Sequence, residues 1–99
     1  MDIIKFINEH IAWSRATFGE DYKWEQILNH IDEELREIEE YSNDVWEWID
    51  VIFLALDGAW RAGYTAEQII ETMQEKQKIN FSRKWTNNTD GVTPNKHIK

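Results

Sequence analysis

The sequence predicts an all-α fold, a bundle of four to five helices. Apolar residues recur at about 3.6-residue spacing rather than in alternation from Asp2 to Trp85. Glycine occurs only at positions 19, 58, 63 and 91, and the single proline, Pro94, lies beyond the periodic region. The first helix is expected from Asp2 to Thr17, with Ile3, Phe6, Ile7 and Ile11 along one face and Phe18-Gly19 ending it. The second spans Trp24 to Tyr41, where Trp24, Ile27, Leu28, Ile31, Leu35 and Ile38 make a one-sided core stripe. Ser42-Asn43-Asp44 is a short turn in which Asp44 caps the third helix and Glu47 stands in capping-box position. That helix runs to Ala62, and Gly63 stops it. It is apolar almost all round, so it is expected to be central and buried. Thr65 and Gln68 form another capping box, opening a fourth helix from Ala66 to Arg83.

The chain has 99 residues, no internal repeat, a hydrophobic fraction of 41% and six Trp, which suits one small domain. Residues 1–85 are read as that domain and 86–99 as a polar, loosely ordered tail. A chain this small buries only about 60–65% of its unfolded surface. Without a disulfide it often gains stability by associating with copies of itself, so a homodimer or dimer of dimers is expected.

Eleven Lys and Arg against nineteen Asp and Glu leave a net charge of −8, which argues against duplex nucleic acid and anionic membrane as partners. The absence of cysteine excludes disulfides and thiolate metal sites. The beginning of the chain lacks the apolar run of a signal peptide, and Val51 to Leu56 is far short of the roughly 20 residues that span a bilayer. A cytoplasmic protein is expected.

Acidic residues crowd the second helix, where the plain reading is a solvated face. Angular position separates them. At about 100° per residue Glu33 and Glu40 point away from the apolar stripe, whereas Glu34 and Glu37 flank it beside His30 and Tyr41. On the third helix the charges are confined to one strip containing Glu47, Asp50, Asp57 and Arg61. Carboxylates on a buried helix must be paired or bound to metal. The short turn makes helices two and three antiparallel neighbours and sets Glu37 opposite positions 49 and 50. Glu34, Glu37, Glu47 and Asp50 can therefore converge, and four carboxylates suit magnesium or manganese better than zinc. The competing arrangement is a set of salt bridges from Glu47 and Asp50 to Arg36 and Arg61.

Four basic residues lie between Lys76 and Lys84. Lys76, Asn80 and Arg83 repeat at helical spacing, so the end of the fourth helix carries a cationic stripe. The plain reading is cations at a helix C-terminus; the functional one is phosphate binding by Lys76 and Arg83, with Asn80 adding a hydrogen bond.

These residues resemble the MazG-like all-α NTP pyrophosphohydrolases. The acidic pattern Glu-Glu-x-x-Glu then Glu-x-x-Asp is matched by Glu33-Glu34-Leu35-Arg36-Glu37 and by Glu47-Trp48-Ile49-Asp50. The downstream pattern Lys-x-x-x-Asn-x-x-Arg-x-Trp is matched by Lys76, Asn80, Arg83 and Trp85. His30, the stretch from Trp13 to Gly19, and Asp57 with Arg61-Ala62-Gly63 resemble one compact subgroup that acts on deoxynucleotides. The likeness covers residues 6 to 85, and nine residues separate Glu37 from Glu47, fewer than in many members.

The resemblance implies that Glu34, Glu37, Glu47 and Asp50 bind Mg²⁺, with Mn²⁺ a substitute. It further implies that a nucleoside triphosphate, deoxy by preference, is cleaved to the monophosphate and pyrophosphate, for house-cleaning or pool control. Glu33 or Glu37 is the candidate general base. Lys76, Asn80 and Arg83 are the candidate phosphate ligands, and Trp13, Phe18 and His30, with Tyr22 beside them, the candidate base pocket. Two alternatives stand beside this reading: a non-catalytic helical interaction module, and a hydrolase of another phosphorylated metabolite.

Overall fold

A computed structural model describes residues 1–98 and contains four helices: α1 (Ile3–Phe18), α2 (Trp24–Glu40), α3 (Val45–Arg61) and α4 (Ala66–Ser82). The expected class holds, since the described residues include no strand and only an isolated bridge between Trp85 and His97. Each helix lies within a residue or two of its expected bounds because local chemistry fixes the ends. The Asp2 carboxylate accepts from the Lys5 N–H, and Gly19 closes α1 at φ +85°. Thr65 and Gln68 make a reciprocal capping box, each side chain accepting the other's backbone N–H at 3.1 and 2.9 Å. Gly63 stops the chain after α3 at φ +109°.

The start of α3 departs from expectation. Asp44 caps the Trp46 N–H at 3.0 Å, but its own N–H donates to the Tyr41 carbonyl, so no capping box forms. The Glu47 side chain is thereby left for another use.

The chain divides into two compact units, Met1–Ile69 and Ile70–Lys99, with the boundary inside α4. In the first, α3 is the central element: it pairs along α2 and also touches α1. The core holds Ile7, Ile11, Ile38, Leu54, Trp60, Ala66 and Ile69, together with a fully buried Ser14. Arg61 links the elements by donating to Ser14 Oγ at 3.2 Å and to the carbonyls of Gly19 and Asp21 at 2.6 and 3.0 Å.

Two expectations are corrected here. Helix α3 is central but not enclosed: Val45, Trp46, Trp48 and Ile52 are all more than half exposed. The α2 stripe is likewise covered only in part, with Ile38 buried but Trp24, Leu28 and Leu35 exposed. The periodicity identifies surfaces that gain from burial, and three short helices contain too little material to cover them.

In the second unit α4 continues to Ser82, and the segment after it doubles back. Thr86 N–H donates to the Lys96 carbonyl and Ile98 N–H to that of Lys84. Its turn is organised by Asp90, which accepts from the Val92 and Thr93 N–H groups and the Thr93 hydroxyl. Those donors lower the Asp90 carboxyl pKa to about 2. The polar tail thus follows a hydrogen-bonded path that its composition does not reveal. Trp85 anchors it by donating its indole N–H to the Asn80 carbonyl.

Candidate active site

The α2–α3 hairpin sets two carboxylate strips face to face. Glu34 projects from the flank of α2, and Glu47 and Asp50, one turn apart, project from the first half of α3. One oxygen from each of these three lies within 4.8 Å of the other two. Glu34 and Glu47 are half-buried and Asp50 is exposed. Glu37 is exposed and stands outside this tight group. It is nevertheless close enough to matter, because among the neighbouring acids its charge acts most strongly on Glu47.

The Glu47 carboxyl is pushed above its ordinary value, first by burial and then by the negative charges of Glu37, Asp44, Asp50 and Glu34. The two arginines expected to relieve this repulsion are engaged elsewhere. Arg36 pairs with Glu39 and Asp32 on the outer surface of α2, at 2.8 and 3.4 Å. Arg61 is committed to the backbone after α1 and to Ser14. Among the described residues no cationic side chain pairs with Glu47 or Asp50, and Glu34 meets only His30, at 3.3 Å. Three converging oxygen donors without a protein counter-charge fit a hard divalent cation.

Beside the acids lies a cavity of about 490 Å³, within the size range of small-molecule sites. Glu34 and Asp50 form part of its wall. Trp13 and Phe18 also line it, packed edge to face with centroids 5.6 Å apart, as does His30. Three of the four residues expected in a base pocket are therefore brought to one cavity adjoining the acids, whereas Tyr22 is exposed and not on its wall. Glu33 is exposed and lies neither in the acidic trio nor on the cavity wall.

The cavity also contains residues that the sequence reading did not place in a site. His10 Nε2 lies 2.9 Å from Asp57 Oδ1, and the His10 ring stacks on Phe53 with centroids 4.7 Å apart. Phe53, Lys23 and Gln26 line the same wall. A signal for part of this was present. Asp50, Asp57 and Arg61 share one strip of α3, but His10 belongs to the edge of the α1 apolar face, where a histidine is read as packing.

Lys76, Asn80 and Arg83 fall in the second unit. Lys76 is exposed on α4, while Arg83, just beyond its end, is half-buried with its N–H donating to the Asn80 carbonyl. Asn80 Oδ1 is shut away from solvent with no hydrogen-bond partner among the described residues. Such an acceptor is costly unless a donor arrives.

A family model described as dATP/dGTP pyrophosphohydrolase, a MazG-like family, matches residues 6–99. No curated protein and no solved structure matches the chain.

Proposed function

This chain belongs to the dATP/dGTP pyrophosphohydrolase family and is a nucleotide pyrophosphohydrolase, and from that premise we propose a Mg²⁺-dependent cleavage of deoxynucleoside triphosphates to the monophosphate and pyrophosphate. The observation that carries the proposal is the set of Glu34, Glu47 and Asp50 oxygens converging with no cationic side chain of the described residues paired to Glu47 or Asp50, at the edge of an aromatic cavity. The family implies a divalent-metal-dependent hydrolase, and the all-oxygen donor set favours Mg²⁺, with Mn²⁺ able to replace it.

In this reading Glu34, Glu47 and Asp50 would hold the ion, and Glu37, outside that tight group, would remain free to act as a base. A bound divalent cation supplies neutralisation of the triphosphate charge and acidification of the attacking water. Glu37, close to the trio and exposed, takes the proton that water loses as it attacks the α-phosphorus. Glu33 is disfavoured in that role by its position away from the trio. The bond between the α-phosphorus and the bridging oxygen breaks, and pyrophosphate leaves. By the family pattern that they match, Lys76 and Arg83 are the proposed ligands of the β- and γ-phosphates, with the Asn80 amide N–H₂ as a further donor. Trp13 and Phe18 stack against the base, and His30 orients Glu34.

Self-association belongs to the same proposal. Trp46 is 76% exposed, and Trp24, Leu28 and Ile52 are each more than half exposed. So many large apolar side chains left in water favour burial against a second copy. The role is control or cleansing of the cell's nucleotide pool. No helix among the described residues is long and apolar enough to cross a membrane.

The test is product analysis after incubation with each canonical dNTP and NTP, with and without Mg²⁺. Monophosphate and pyrophosphate, formed only with the metal, are expected. Release of inorganic phosphate as the primary product would overturn the reaction.

A further inference from the structure

Asp57 presents an acceptor at the wall of the aromatic cavity that the protein itself does not use. Its Oδ1 takes two donors, the His10 Nε2–H at 2.9 Å and the Trp60 indole N–H at 3.0 Å. The His10 and Asp57 side chains are only 11% and 14% exposed, and Trp60 belongs to the core. The carboxylate is thus clamped between α1 and the end of α3. Two donors occupy the lone pairs of Oδ1, whereas Oδ2 receives no donor among the described residues. Arg61 lines the same cavity, but its guanidinium is held by bonds to Ser14 and to the Gly19 and Asp21 carbonyls.

An ionised carboxylate only accepts hydrogen bonds, so whatever meets Oδ2 must carry an N–H or O–H. The surrounding faces, Trp13, Phe18 and Phe53, favour a flat ring. Adenine offers its 6-amino group on the edge away from the sugar, and guanine its N1–H and 2-amino group. Thymine and uracil offer a single N–H flanked by two carbonyl oxygens, which the same carboxylate repels.

We propose that Asp57 is the base-reading residue of this site, its Oδ2 accepting one N–H from the Watson–Crick edge of a purine stacked among the cavity aromatics. His10 and Trp60 are positioning residues that fix the carboxylate by holding its other oxygen. One available oxygen makes one contact and no fork, which explains how a single pocket accepts both amino purines rather than separating them. This assignment rests on the pyrophosphohydrolase reading of the cavity given above.

The experiment compares kcat/KM for dATP with that for the deoxynucleoside triphosphate of unsubstituted purine, the same ring with hydrogen in place of the amino group, in wild type and Asp57→Asn. The wild type is expected to favour dATP about tenfold or more, as a single hydrogen bond to a charged group does. In Asp57→Asn the oxygen stays with the His10 and Trp60 donors and an amide N–H₂ faces the ring, so the ratio falls to near one or inverts. A ratio within each enzyme cancels any general loss of activity. Should Asp57→Asn not fold, Asp57→Glu, which displaces the carboxylate by one methylene, is expected to lower the ratio likewise. A wild-type ratio near one, or a variant ratio equal to that of the wild type, overturns the Asp57 assignment while leaving the reaction intact. A wild type that forms no monophosphate and pyrophosphate from either compound sinks the functional reading itself.

Discussion

At the scale of single residues, Glu47 carries the clearest physical signature in the site. Its folded pKa is raised above that of a free carboxyl, by burial first and by Glu37 and the other acids next. A raised carboxyl pKa favours the folded state below the ordinary value of 4.5, and that contribution is lost as pH rises through the folded value. Metal-free protein at neutral pH therefore carries the cost of crowded negative charge. Glu47→Gln should melt higher than wild type in chelator at pH 7 and gain less from added Mg²⁺; differential scanning calorimetry of the two proteins checks both. Because ligand carboxylates must be ionised, the Mg²⁺ concentration that half-saturates wild-type activity should rise as pH falls through the raised Glu47 value. For Asp50→Asn, a folded protein with activity reduced by at least about 100-fold is expected, since even residues one shell removed from a metal cost about 10–100-fold. Wild-type-like rates in that variant would remove Asp50 from the proposed ligand set.

At the scale of elements, the caps decide how well the acids are presented. Asp44 alone caps α3, and α3 carries both Glu47 and Asp50. Asp44→Ala should cost about 1 kcal/mol. In a domain of this size that lowers the melting temperature by about 4–8 °C. Gly19 controls the other wall. It sits at φ +85°, with nothing within 4 Å of the position a Cβ would occupy, and its carbonyl accepts from Arg61. Gly19→Ala should thus cost about 1–3 kcal/mol through backbone strain alone, without a steric clash. Chemical denaturation read by tryptophan fluorescence measures both changes. The sequence displayed most of these element-level features openly: caps and stops are local, so Gly19, Asp44, Gly63 and the Thr65–Gln68 box are found where their chemistry predicts, while Asp2, expected as the first helical residue, is the N-cap. The missing capping box at Glu47 is the exception, because a side chain offered two sets of partners was decided by its surroundings and not by its spacing.

At the scale of the whole molecule, exposed aromatics and the binding of a cation both act on stability through mass action. If Trp24, Leu28, Trp46 and Ile52 are covered by a second copy, sedimentation should show a species heavier than the monomer, and its melting temperature should fall on dilution. Trp46→Glu, at the most exposed of the six tryptophans, should shift that species toward monomer. A monomer across the accessible concentration range would refute the proposed assembly. Independently, Mg²⁺ at about a hundred times its dissociation constant should stabilise the protein by about 2.7 kcal/mol.

The sequence by itself determined the all-α class, the four helices and their ends, and the acidic and basic patterns that align with the family. Each is written in short-range periodicity, capping chemistry or residue order. Only the tertiary structure decided which acids meet: it joined Glu34, Glu47 and Asp50, left Glu33 on the outside, and turned Arg36 and Arg61 to other partners. It also brought His10 on α1 to Asp57 on α3, forty-seven residues away. Spacing along one helix says which side chains share a face, whereas contacts between helices depend on how those faces pack, a property of the folded chain as a whole.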